Sequence, residues 1–442
     1  MKQVAFLVCI CMLTLLLGGC FLETAEGLYA VPKQSEDYYN LQGAIEAAMP
    51  NGASYCPPTS GENQQAVQLA DLDGDNEDEA IVYFKTTGDL PLAVYVFDKQ
   101  ENSFSLVATK EGSGSAFDHV LYVEVDDAPG YEIVLGRQIS GEISQILSVY
   151  SMRDGTLVEL LNASYSQFIT TDLNNNGKQD IFLLRSNEDM QTGVAELYTW
   201  SDGQLNRERE ASASADVSAV KRIITGYMCK DVPAVFVASE YGEGDIITDI
   251  YGFRNGVFSN LSKSEDTNTG VQTVRDYYVY SCDIDDDGLI ELPHLIELPS
   301  ISGDENSYDR SLIRWYNLLT NGSEVEKLTT YHNYPAGWYV VIPEEWTQRL
   351  VVTRGGQLDG NVGYRFLMQD RTVSELFTIV SISGESAAQT IRQEEWLTLA
   401  QKGDVIYACR FGDAAAKYGI TLEKLQSLFR FIRVDWKTGE TY

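Results

Sequence analysis

Asp71-Leu72-Asp73-Gly74-Asp75-Asn76-Glu77-Asp78-Glu79 sets the reading of the whole chain. Acidic side chains stand at positions 1, 3, 5 and 9 of this nonapeptide, and an apolar run, Ala80-Ile81-Val82-Tyr83-Phe84, follows it. The spacing returns in Asp172-Leu173-Asn174-Asn175-Asn176-Gly177-Lys178-Gln179-Asp180 and in Asp283-Ile284-Asp285-Asp286-Asp287-Gly288-Leu289-Ile290-Glu291. Two weaker copies lie between. Residues 124–132 keep Glu124, Asp126 and Glu132, and residues 225–233 have lost the acids at these positions but still lead into Ala234-Val235-Phe236-Val237. The ninth positions fall at 79, 132, 180, 233 and 291, at intervals of 53, 48, 53 and 58 residues.

A second marker keeps the same phase. Tyr95-Val96-Phe97, Tyr150-Ser151-Met152, Tyr198-Thr199-Trp200 and Tyr251-Gly252-Phe253 each end an alternating run, with Trp315-Tyr316 at the fifth place. Turns follow at Asp154-Gly155, Asp202-Gly203 and Asn255-Gly256. Asp-Gly and Asn-Gly between apolar runs signal two-residue hairpins, because both central residues of that turn need a positive φ. Each unit therefore reads as four strands, one entering the acidic loop, one leaving it, and a hairpin of two more. Four strands every fifty residues or so describe propeller blades. The expected fold is mainly β, a β-propeller of about five four-stranded blades over residues 64–330, followed by a small α+β domain over 331–442.

The acidic loops resemble those of FG-GAP/VCBS-repeat proteins. That resemblance implies a calcium loop between the first two strands of a blade. The chemistry agrees, since calcium takes six to eight oxygen ligands from carboxylates and carbonyls. The expected ligands are Asp71, Asp73, Asp75, Glu77 and Glu79 in the first loop, and Asp172, Asn174, Asn176, Lys178 and Asp180 in the second. In the third they are Asp283, Asp285, Asp287, Leu289 and Glu291. Glu77, Lys178 and Leu289 would contribute backbone carbonyls. An EF-hand is excluded, because it requires a bidentate Glu at position 12, where this chain has Val82, Leu183 and His294. The first and third loops, with four acids each, are expected to bind best, and Asn174 and Asn176 weaken the middle one. Such loops are also good turns without any metal. Any calcium here is expected to be structural.

At the start of the chain, Lys2 precedes an almost wholly apolar stretch, residues 4–17. It is shorter than the roughly 20 residues a spanning helix needs and has the length of a signal-peptide core. Leu17-Gly18-Gly19-Cys20 resembles the bacterial lipobox. That resemblance implies removal of residues 1–19, acylation of Cys20 by palmitate-type chains, and anchoring of the mature chain to a membrane on its extracytoplasmic face. Two or more acyl chains give stable anchoring. Residues 20–63 read as a tether and a short helix, with Tyr38, Leu41, Ile45 and Ala48 at helical spacing. Of the remaining cysteines, Cys56, Cys229, Cys282 and Cys409 form no C-x-x-C pair, which argues against zinc and leaves either buried thiols or two disulfides.

The balance of 65 Asp+Glu against 32 Lys+Arg excludes nucleic acid as a partner, since phosphate contacts need clustered cations. There are three histidines, His119, His294 and His332, and none belongs to a metalloprotease or hydrolase motif. From residue 331 the pattern reads α+β, with strands around 350–352, 364–368, 376–380 and 404–408 and a helix over 421–429. This segment resembles PsbP/Mog1-like domains, which implies a binding or assembly module. The expected function is a calcium-stabilised, membrane-anchored binding or scaffold lipoprotein whose protein or glycan ligand the sequence does not name. A carbohydrate-active lyase or hydrolase and an envelope assembly factor are the alternatives. Trp200, Trp315 and Trp338 are the aromatics considered for sugar stacking, but each lies in a strand pattern, so core packing is the stronger reading for all three.

Overall fold

A computed structural model of the chain describes residues 36–100, 103–139, 145–187, 192–264, 270–275, 279–299 and 311–433. The lipobox and Cys20 lie outside the described residues. Among the described residues no helix is long and apolar enough to cross a membrane.

The described residues form six antiparallel sheets in succession. The first comprises residues 67–112 with Ser54–Tyr55 added at its side, the second 116–165, the third 167–212 and the fourth 220–260. Each of these four is an up-and-down meander, and in the first three the first two strands flank an acidic loop. In the fifth, the entering strand is reduced to a single bridge between Cys282 and Glu291. The sheet continues through Leu292–Glu297, Ser311–Leu318, Glu324–Asn333 and Trp338–Ile342, and Phe429–Phe431 closes its far edge. The strand Glu324–Asn333 runs across the 330/331 junction, so the last blade draws two strands from the C-terminal segment. The sixth sheet, residues 350–411, has the order of a meander with its last two strands exchanged. Among the described residues the α-helices are α1 (Glu36–Ala48), α2 (Ala387–Gln393) and α3 (Leu422–Leu428).

Burial explains the patterning. The strand Glu79–Lys85 is buried at every position but its last, because the second sheet packs on one of its faces and α1 on the other. Ile81 and Tyr83 face the second sheet with Val94, Val96, Phe117 and Ile133. Ala80, Val82 and Phe84 face the other way, onto Leu41, Ala44, Ile45 and Ala48 of α1. The outer strand Thr156–Tyr165 alternates between buried and exposed positions, as an edge beside water should. Similar cores join the second sheet to the third, the third to the fourth, the fourth to the fifth and the fifth to the sixth. On the far face of the sixth sheet, Val380, Ile382, Ile406 and Ala408 pack against Ala387 and Ile391 of α2. A helix thus covers each outward face of the array, α1 at one end and α2 at the other.

The hairpin signals are realised as turns with two positive φ angles: Asp154 and Gly155 at 48° and 71°, Asp202 and Gly203 at 54° and 79°, Asn255 and Gly256 at 53° and 75°. Cys56, Cys229, Cys282 and Cys409 form no disulfide.

Candidate metal centre

The acidic loops follow one plan. Position 2 is a buried apolar plug: Leu72, Val125, Leu173 and Ile284. Position 9 is a buried acid whose side chain closes the loop on the position-2 amide. Glu79 Oε2 accepts from Leu72 N at 2.6 Å, Glu132 Oε2 from Val125 N at 2.6 Å, Asp180 Oδ2 from Leu173 N at 2.9 Å and Glu291 Oε2 from Ile284 N at 3.0 Å. Burial pushes all four carboxyls up to about 7. Position 1 caps the turn: Asp71 accepts from Gly74 N and Asn76 N, Asp172 from Asn176 N and Gly177 N, and Asp283 from Asp287 N and Gly288 N. Glu77, Lys178 and Leu289 donate their backbone N–H to the position-5 side chains of Asp75, Asn176 and Asp287 at 2.8, 2.8 and 2.9 Å.

Neighbouring loops are also tied together. The position-8 amide of one bonds the position-1 carbonyl of the loop before it: Tyr131 N to Asp71 O at 2.8 Å, and Gln179 N to Glu124 O at 2.7 Å. The approach is so close that a Cβ on Gly74, whose φ is +80°, would sit 2.3 Å from Pro129 Cβ.

The loops differ in what meets their remaining oxygens. In the first, carboxylate oxygens of Asp71, Asp73 and Glu79 lie within 4.8 Å of one another. Asp75 and Glu77 stand outside this triad and are exposed. Glu79 is only 1% exposed, yet its Oε1 has no hydrogen-bond partner. A buried carboxylate oxygen without a donor is costly, and a cation among three carboxylates would remove the cost. The all-oxygen donor set fits a hard cation such as calcium.

In the middle loop the corresponding oxygen, Asp180 Oδ1, accepts from Asn174 Nδ2 at 3.3 Å. A neutral amide therefore fills the place that a ligand would need. In the third loop, oxygens of Asp283, Asp285 and Glu291 again lie within 4.8 Å of one another. Here Glu291 Oε1 accepts from Asn317 Nδ2 at 2.7 Å, and Lys327 Nζ lies 3.5 Å from Asp285 Oδ2 and in contact with Asp287 Oδ2. Arg433 pairs with Asp286 on the outer side of this loop. In the copy at 124–132, Glu132 Oε1 accepts from Ser151 Oγ at 3.1 Å and Arg153 pairs with Asp126 at 2.6 Å, holding that carboxyl below its ordinary range against the opposing effect of burial.

Arg153, Lys327, Ser151 and Asn317 are the residues that the loop pattern does not reveal, because they belong to other strands of the same blades. One signal existed for Arg153. It ends the third strand of its blade, 21 residues after the ninth position, where the first and third blades have Gln100 and Ser201.

Trp200, Trp315 and Trp338 lie in the core, as their strand pattern leads one to expect. Trp315 and Trp338 are 1% exposed, and Trp200 is buried with its Nε1 donating to Asp127 at 2.8 Å. His294 is exposed on the strand after the third loop. His332 stacks on Tyr339, with ring centroids 4.9 Å apart.

No protein-family model and no curated protein sequence matches the chain. Among solved structures it is similar to a rhamnogalacturonan lyase (12% identity, TM-score 0.30, covering 72% of this chain and 68% of that one). It is also similar to a Bacillus licheniformis rhamnogalacturonan lyase (12%, 0.27, 73% and 71%). A third is an exo-beta-1,3-galactanase from Phanerochaete chrysosporium (12%, 0.24, 75% and 79%). At that overlap the likeness carries no argument about this chain's chemistry.

Proposed function

We propose that the chain is a membrane-anchored extracytoplasmic lipoprotein whose blade array is a calcium-stabilised binding or scaffold module of the FG-GAP/VCBS kind. The observation that carries the calcium reading is the buried, unpartnered Oε1 of Glu79 beside Asp71 and Asp73. Calcium there would pin the entering and leaving strands of the first sheet and neutralise a carboxylate that has no cation of its own. The role is structural, and the chain's own residues supply it by orienting oxygens on a preformed turn. The anchoring reading rests on Leu17-Gly18-Gly19-Cys20.

The test is calorimetric titration of calcium into chelator-treated full-length chain in detergent, with thermal unfolding followed in parallel. Binding heat and a raised melting temperature are expected. At a hundredfold excess over Kd the stabilisation is about 2.7 kcal/mol. Absence of both heat and stabilisation would sink the calcium reading and leave the loops as turns. For the anchor, Cys20→Ala should abolish incorporation of labelled palmitate and release the protein from the membrane fraction. Continued acylation of that variant would overturn it.

A further inference from the structure

The third acidic loop has the same carboxylate triad as the first, but it also has a lysine. Lys327 reaches it by a specific irregularity of the fold. Between the third and fourth strands of the first sheet the register slips by one, with Val96 paired to Ala108 and Phe97 to Leu106, leaving Val107 as the extra residue. The second sheet slips at the equivalent place, Val149 to Leu161 and Tyr150 to Glu159, leaving Leu160. The fifth slips there too, Trp315 to Leu328 and Tyr316 to Glu326, leaving Lys327. Phe97, Tyr150 and Tyr316 are equivalent because each pairs with the residue just after its loop, Ala80, Ile133 and Leu292 respectively. A bulge re-aims the side chain it carries. Val107 and Leu160 pack on the cores between sheets. Lys327 instead places its ammonium among Asp285 and Asp287, with only 20% of its side chain exposed.

We infer that Lys327 is a tethered cation that occupies the third acidic loop in place of a divalent ion, leaving the first loop as the open site. The inference rests on the calcium reading of these loops. The copy at 124–132 supports it independently: there Arg153 serves Asp126 in the same way, from another strand of the same blade. In the first loop no lysine, arginine or histidine of the described residues pairs with Asp71, Asp73 or Glu79. A divalent ion entering the third loop must displace an ammonium that cannot diffuse away, and its affinity falls accordingly. Site charge and rigidity are what tune calcium affinity over orders of magnitude.

Lys327→Val, which installs the first sheet's residue, tests this by calcium calorimetry on the full chain in detergent. Lys327→Met is the second variant, keeping most of the stem. Circular dichroism verifies that both are folded. The wild type is expected to bind one calcium tightly and each variant two, the new site at least about tenfold tighter than in the wild type. Adding Glu79→Gln should remove the first site and leave the new one. Two sites of equal affinity in the wild type, unchanged in both variants, would overturn the inference while leaving the calcium reading standing. No binding to the wild type but one site in the variants would uphold the inference and overturn the reading of the first loop. No binding to any of them would overturn both.

Discussion

Glu79 holds a carboxylate out of water with one oxygen bonded to Leu72 N and the other bonded to nothing. Replacing it with Gln keeps an acceptor for Leu72 and removes the buried charge. Glu79→Gln is therefore expected to melt no lower than the wild type in chelator, and to lose most of the stabilisation that calcium gives the wild type; paired melting curves check both. A residue that is merely structural would lower both curves equally. His332 poses the opposite question. Its ring nitrogens are shut from solvent without partners, among Trp315, Tyr334 and Tyr339, and burial pushes its pKa down to about 3. Between pH 3 and the ordinary histidine value near 6.5 the unfolded chain binds the proton and the folded chain does not. The stability that neutral His332 permits is present above about pH 6.5 and drains away as the pH falls towards 3. His332→Phe should flatten that slope, retaining on the order of a few kcal/mol more than the wild type near pH 4 in urea titrations.

At the scale of the element, two glycines separate backbone strain from close packing. Gly155 has a positive φ and open space where a Cβ would go. Gly155→Ala should cost about 1 kcal/mol, from the left-handed conformation alone. Gly74 has the same kind of φ but lies against Pro129 and Gly130, so Gly74→Ala must also push neighbouring loops away from each other and should cost at least about 2 kcal/mol more. Chemical denaturation distinguishes these variants. The strands and hairpins were legible in the sequence because their signals are local: alternation, a nine-residue loop, an Asn-Gly or Asp-Gly pair. The strands around 350–352, 364–368, 376–380 and 404–408 were visible for that reason, as was α1, where Leu41, Ile45 and Ala48 mark the packed face. The short helix α2 and the strand Leu397–Lys402 were not, since seven or six residues with no strong periodicity leave little to read. In the candidate site the loop residues could be read, but their occupants could not. Lys327 stands 36 residues after the ninth position of its loop, where Val107 and Leu160 stand 28 after theirs, so no fixed spacing marks it.

Across the whole molecule, each sheet packs on the one before and the one after, so disturbance at one end should be felt there first. In chelator, amide hydrogen exchange should quicken in α1 and residues 67–112 while the sixth sheet keeps its protection; calcium should restore the first region alone. Uniform quickening would mean that the array opens as one unit. Ile45, 3% exposed, is the centre of the α1 contact, and Ile45→Ala should cost about 2–5 kcal/mol, concentrated at the same end.

Helices α1 and α2, lying over the two outward faces, give the array ends. Each sheet meets the next through a core of the same kind. Duplicating one unit of about fifty residues would create one more interface of a kind already present and leave both covers in place. Copy number in such a chain is free to drift, and each new copy is free to change what fills its loop. An unpartnered carboxylate, an asparagine amide, an arginine and a lysine, met in separate acidic copies, are what repeated duplication and independent divergence would leave along one row.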